Sequence, residues 1–289
     1  MLDLLSKSVV IALSDSPRLE GFQKSNWGVE FSVFDAVDTR DGHIPKDFNI
    51  EVYRLRSLRD PHPGEMGCAV SHYRVIKEFA EEVGEDEDLM LVAEDDARPV
   101  KGFHIMLEEI LQSSQSKEIV LLSEPIFGSL KNLKYYAMSL LSEKIGSDRK
   151  MGHYADKIAG TGLYLISRGA SKKFVSQVEK AKGVSWAADD YNTDLTGTSF
   201  VSPYQVIDLK VVRPGLADWE GESTIHEPEG YEKFKQRKLE EHSTSHSGLK
   251  SLMVKAKSKI SLTNIILAKN LFIISAKDLR GLLLSRWAR

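Results

Sequence analysis

Leu89-Met90-Leu91-Val92-Ala93-Glu94-Asp95-Asp96 is the stretch on which the fold turns. Five apolar residues run directly into three carboxylates, and Ala97, Arg98 and Pro99 follow. An apolar run this short, closed by charge and proline, reads as a buried strand of a parallel sheet. Open α/β sheets bind ligands beyond the carboxyl ends of their strands, which is where the acids fall. Adjacent carboxylates repel one another unless a cation or hydrogen-bond donors compensate. A hard ion such as Mg²⁺ or Mn²⁺ prefers oxygen ligands and could bridge these acids to a diphosphate. Alternate residues of an extended chain face the same way, so Glu94 and Asp96 can share one task and Asp95 another. A solvated acidic turn is the competing reading of the triplet alone.

Working towards the N-terminus, Gly64–Ala80 has helical periodicity, with Met66, Ala69, Val70, Tyr73, Ile76 and Ala80 on one stripe. Its opening glycines allow a close backbone approach to a ligand or to a neighbouring element. Ser71 and His72 face either a diphosphate and the acidic site or the core. Cys68 reads as a small buried hydrophobe. Ser8–Leu13 is a β-branched strand, followed by Ser14-Asp15-Ser16-Pro17, a helix-start sequence. Arg18 after it faces a phosphate, a base or solvent. Glu30–Phe34 alternates as a second strand, and Asp38 beyond it is placed for a ribose or base edge, or lies in a surface loop. Residues 43–63, with three prolines, read as an irregular excursion.

Working towards the C-terminus, Phe103–Leu111 reads as a helix and Glu118–Leu122 as a strand. Residues 123–152 lack a clear period and carry Lys131, Lys134, Tyr135, Tyr136, Lys144, Arg149 and Lys150, a composition that would suit an acceptor. Ala159–Ser167 reads as a strand opened by small residues, with a helix over Arg168–Lys180. Trp186-Ala187-Ala188-Asp189-Asp190-Tyr191 sets two acids between aromatic rings. Such a group either stacks on a sugar and takes hydroxyl protons, or packs on the core. Val206–Val212 is a late strand, and His226 lies in a polar stretch after it.

The chain has 289 residues and a net charge of −3, which argues against a general nucleic-acid binder. Residues 250–289 carry nine Lys or Arg against Asp278, a net +8, which leaves residues 1–249 at −11. Apolar clusters between these bases predict amphipathic helices on an anionic membrane surface; packing on the core or a homo-oligomer contact is the alternative. Cys68 is the single cysteine, compatible with a reducing compartment. No signal-peptide pattern and no run of about 18 apolar residues is present.

These pieces, in this order, resemble glycosyltransferase family 25 over roughly residues 8–226. The most specific part is Gly64-Glu65-Met66-Gly67-Cys68-Ala69-Val70-Ser71-His72 followed by Glu94-Asp95-Asp96. Supporting it are the opening strand with Arg18, Ala36-Val37-Asp38 and Gly162–Ala170. The Asp189-Asp190 region is similar to the family's P-x-D site, with alanine at the usual proline, and Ile11-Ala12-Leu13 replaces the usual I-N-L.

The resemblance implies an α/β, GT-A-like single Rossmann-type nucleotide-sugar domain with a mostly parallel sheet over 1–245. A basic helical tail follows over 246–289. It also implies inverting transfer of a hexose, galactose from UDP-galactose, to a hydroxyl of a lipid-linked glycan at the inner face of the cytoplasmic membrane. Asp96, Glu94 and His226 would hold Mn²⁺ or Mg²⁺. Arg18, Asp38, Ser71, His72, Glu94 and Asp95 would contact the donor, and Asp189 or Asp190 would be the base. A catalytically inactive binding protein and a metal-dependent phosphohydrolase are the alternatives.

Overall fold

A computed structural model describes residues 5–57, 59–123, 126–127, 142–146, 148–153, 158–191 and 203–219. In chain order they form β1 (Leu5–Ala12), α1 (Leu19–Lys24), β2 (Ser32–Asp35), α2 (Ile50–Ser57) and α3 (Pro63–Glu81). Next come β3 (Leu89–Glu94), β4 (Ala97–Pro99), α4 (Phe103–Gln112), β5 (Ile119–Leu121) and β6 (Ile126–Phe127). The last are β7 (Ser142–Ile145), β8 (Arg149–Gly152), β9 (Ile158–Ala159), β10 (Leu163–Ser167), α5 (Arg168–Lys180), β11 (Leu209–Arg213) and β12 (Ala217–Trp219).

The apolar run 89–93 is the central strand of an eight-stranded sheet ordered β2-β1-β3-β10-β5-β11-β8-β7. Its side chains alternate between two cores. Met90 and Val92 face the core built with α3 and α5, and Leu89, Leu91 and Ala93 face the one built with α4, Phe22 and Trp27. β1, β5 and β10 divide their residues in the same way. Each fully buried Leu or Val contributes about 1.5–3 kcal/mol, so a sheet covered on both faces selects unbroken apolar strands rather than alternating ones.

The sheet is mixed. β2, β1, β3, β5, β11 and β7 run one way, whereas β10 and β8 run the other. The mostly parallel expectation therefore holds for the sheet as a whole but not around β3, whose neighbours are parallel β1 and antiparallel β10. A strand buried on both faces has the same hydrophobic pattern in either direction, so the pattern carries no sign of the reversal.

Two further expectations are corrected. Residues 43–63 include the helix α2, whose apolar and charged side chains are interspersed and which buries only Tyr53 and Arg56, so no apolar stripe announces it. Residues 123–152 include the β7–β8 hairpin and β6, which pairs with β9. The 246–289 tail and most of the basic loop lie outside the described residues, as does His226. Among the described residues, no helix is long and apolar enough to cross a membrane.

The start of α3 is fixed by local chemistry. His62 accepts from the Gly64 N–H, Glu65 accepts from the His62 N–H, and Pro63 occupies the first turn, where its missing N–H costs nothing. Arg59 also pairs with Glu65 at 2.5 Å and Tyr53 donates to it at 3.1 Å, tying α2 to this turn.

Candidate active site

A cleft of about 270 Å³ opens at the carboxyl ends of β1 and β3 and the residues after β2, against the first turns of α3. Arg18, Asp38, Ser71, His72, Glu94 and Asp95 all line it, together with Gly64, Gly67 and Cys68. Every residue expected to contact the donor is therefore brought to one wall or another of a single cavity. Gly67 makes the cleft narrow. A Cβ there would lie 2.5 Å from the Val37 carbonyl oxygen and 2.6 Å from Thr39 Oγ1.

Ser71 acts on the cleft indirectly. Its hydroxyl accepts from the Val37 N–H at 2.8 Å and donates to the Gly67 carbonyl at 2.7 Å, so it holds the loop after β2 against α3. Asp38 sits at the rim. Hydrogen bonds from the Arg40 side chain and backbone hold its carboxyl down at about 2, and Arg40 also grips Asp15 at 2.9 Å.

The three acids after β3 have distinct surroundings. Glu94 lies 3.2 Å from His72 Nε2 and accepts from the Thr161 hydroxyl. Burial opposes its ionisation, but His72, Thr161 and the Arg18 charge together hold its carboxyl below the usual value. Asp95 is buried, accepts from the Ser16 hydroxyl and pairs with Arg18 Nη2 at 2.7 Å. Arg98 donates to the Asp95 carbonyl at 2.8 Å and to the Arg18 carbonyl at 3.3 Å, which clamps the turn.

Asp96 differs. Arg18 Nη1 is 3.6 Å from its Oδ2, and its Oδ1 is buried with no hydrogen-bond partner among the described residues. Burial first, then the charges of Glu94 and Asp95, push its carboxyl up to about 6. A buried carboxylate oxygen without a donor, in a net negative field, is a seat that suits an oxygen-liking dication. Both oxygens of Asp95 are engaged by Ser16 and Arg18, whereas His72 and Thr161 both meet Glu94 at Oε1. The residues therefore fit Mn²⁺ or Mg²⁺ with Asp96 as the principal ligand and Glu94 as the second.

The loop Gly160-Thr161-Gly162 connects this triplet to the second acid pair. The Gly160 N–H donates to Asp189 Oδ2 at 3.2 Å, Thr161 donates to Glu94, and the Gly162 carbonyl accepts from the Glu94 N–H at 2.9 Å. Gly160 has φ +106°, and a Cβ on it would come within 2.7 Å of the Trp219 ring, so glycine is required there. Asp189 and Glu94 are therefore tied to adjacent residues of one loop, Gly160 and Thr161. Asp190 instead acts on Arg56. Trp186 and Tyr191 are buried at 2 % and 7 % exposure. Phe174 and Tyr204 pack against them. The structure thus resolves the aromatic pair as core rather than as a sugar platform.

Sequence reasoning missed Thr161, Tyr164 and Ser16. Tyr164 lies 2.9 Å from His72 Nδ1 through its hydroxyl. Its position in an apolar strand marked it only as core. Thr161 was visible as the one hydroxyl among small residues before that strand, but its partner follows only from the reversed direction of β10.

With this geometry in view, residues 6–192 match glycosyltransferase family 25 (LPS biosynthesis protein). That span is more than half of the chain, and the chain belongs to this family. Membership makes it a transferase of the lipopolysaccharide-biosynthesis class, which takes a nucleotide-sugar donor and a glycan acceptor. No curated protein matches the chain.

Proposed function

We propose that this chain is an inverting, GT-A-type hexosyltransferase that moves galactose from UDP-galactose to a hydroxyl of a lipid-linked glycan such as lipooligosaccharide. The observation that carries this reading is the buried, donor-free Oδ1 of Asp96, the residue that follows the cleft-lining Glu94 and Asp95. The nucleoside would lie between the loop after β2 and the first turns of α3, with Arg18 turned towards the diphosphate and Asp38 towards the ribose. Mn²⁺ or Mg²⁺ held by Asp96 and Glu94 would neutralise charge on the departing diphosphate. Asp189, held by the Gly160 N–H, takes the proton from the attacking acceptor hydroxyl on the face opposite the leaving group. Asp190 is the second choice, because the family's P-x-D spacing lands on Asp189. The net +8 of residues 250–289 supports a peripheral seat of the full chain on anionic lipid at the inner membrane face.

The test is release of UDP from UDP-galactose with and without Mn²⁺, with Asp96→Asn alongside. Metal-dependent release lost in the variant supports the reading. Metal-independent release, or cleavage of simple phosphoesters with no preference for a sugar nucleotide, rejects it, the second outcome in favour of a phosphohydrolase.

A further inference from the structure

We propose that Cys68, His72 and Glu94 form a site for a borderline-soft divalent cation of the zinc class, which shares the Glu94 carboxylate with the oxygen seat at Asp96 but takes its sulfur and nitrogen ligands from α3. Their candidate ligand atoms, one sulfur, one imidazole nitrogen and one carboxylate oxygen, all lie within 4.8 Å of one another. Cys68 and His72 are four residues apart on α3 and so share a face. Glu94 meets them from the end of β3, and all three line the cleft. The 3.2 Å between His72 Nε2 and Glu94 Oε1 is close to the roughly 3.3 Å that separates two ligands about 2.0–2.1 Å from a shared tetrahedral ion.

The surroundings are those of a metal site as well. A ligating histidine normally commits its other ring nitrogen to a fixed partner, which sets its tautomer and orientation. Here His72 Nδ1 meets the Tyr164 hydroxyl at 2.9 Å, and Thr161 orients the Glu94 carboxylate. Burial first, and then the charges of Glu94, Asp189, Asp96 and Glu65, push the Cys68 thiol well above its ordinary value. Binding forms bonds to sulfur, nitrogen and oxygen and releases the thiol proton to solvent. Sulfur among the ligands selects zinc over magnesium or manganese. With three protein ligands on the cleft wall, the fourth position opens into the cleft for water or an anionic oxygen. The inference stands on this cluster; it shares Glu94 with the sugar-transfer reading but does not require sugar transfer.

Cobalt titration of the full chain, under a thiol-free reductant, tests it without any sugar nucleotide. Wild type should develop a thiolate-to-cobalt charge-transfer band with tetrahedral visible bands, both displaced by Zn²⁺. Cys68 is the chain's single cysteine, so that band has one source. Cys68→Ala should abolish it, and Cys68→Ser serves if the alanine variant does not fold. Asp96→Asn should keep the band; its loss would put the ion on the acidic turn and overturn the proposal. Tyr164→Phe, which leaves every ligand in place, should weaken Zn²⁺ binding about 10–100-fold. A folded wild type without the charge-transfer band, or Zn²⁺ affinities equal in wild type, Cys68→Ala and His72→Ala, refutes the proposal.

Discussion

Replacing Gly67 by alanine isolates the width of the cleft from the chemistry at its floor. The new Cβ would stand 2.5 Å from the Val37 carbonyl oxygen, and ordinary contact begins at 3.4 Å, so loop and helix must part by 0.9 Å. They cannot slide past one another easily, because Ser71 holds Val37 and the Thr39 hydroxyl donates to the Pro63 carbonyl at 2.5 Å. Two opposing effects act on stability. Alanine in a helix gains about 1 kcal/mol over glycine, and overpacking costs about 1–3 kcal/mol. The net loss is then about 0–2 kcal/mol, which lowers Tm by at most roughly 8 °C at 2–4 °C per kcal/mol. The functional cost is larger, since a misplacement near 1 Å can cost about 10²-fold in rate. Calorimetric titration with UDP and a transfer assay, beside a thermal melt, read the two separately. A folded Gly67→Ala protein that binds UDP and turns over like wild type would show that the Val37–Thr39 loop does not form a wall of the nucleotide site.

Three other outcomes follow from the same contacts. Thr161→Val removes a hydrogen bond to a half-buried carboxylate and should cost about 1.5–3 kcal/mol by chemical denaturation; no loss would mean Glu94 finds another donor. Asp189→Asn should leave UDP binding intact and lower transfer about 10²–10⁴-fold; loss of UDP binding instead would remove Asp189 from the base role. Asp208 is held well below the usual carboxylate range by hydrogen bonds from His153 at 2.5 Å and Lys210 at 2.8 Å, against partial burial. A depressed carboxyl stabilises the fold above its unfolded value and loses that contribution as pH falls. The Tm gap between wild type and Asp208→Asn should therefore be full at neutral pH and close below about pH 4.

The positions of β1, β3, α3, α4 and α5 were legible because each carries a strong periodic or fully apolar signal with recognisable ends, such as Pro63 and Ser167. The acid triplet was legible as the end of a buried strand, and two of its members, Glu94 and Asp95, line the cleft. What stayed hidden depended on direction and on partners distant in the chain. The reversal of β10 brings Thr161 to Glu94, 67 residues away, and Tyr164 to His72, 92 residues away. No local pattern encodes such pairs. Helix α2 stayed hidden for a different reason: its stability comes from Tyr53 and Arg56, the latter stacked 5.5 Å over Trp186, and not from an apolar face.

Because β10 runs against β3, it presents its beginning, not its end, at the edge where the neighbouring strands finish. The residues that meet the acids therefore come from the approach to the strand, and α5 leaves from the opposite rim. Ser167 and the start of α5 are therefore remote from the acid triplet, although Arg168 there is buried and bound to the Phe79 and Glu82 carbonyls. A one-residue insertion at Thr161 would move the supports of Glu94 and Asp189 in the same stroke.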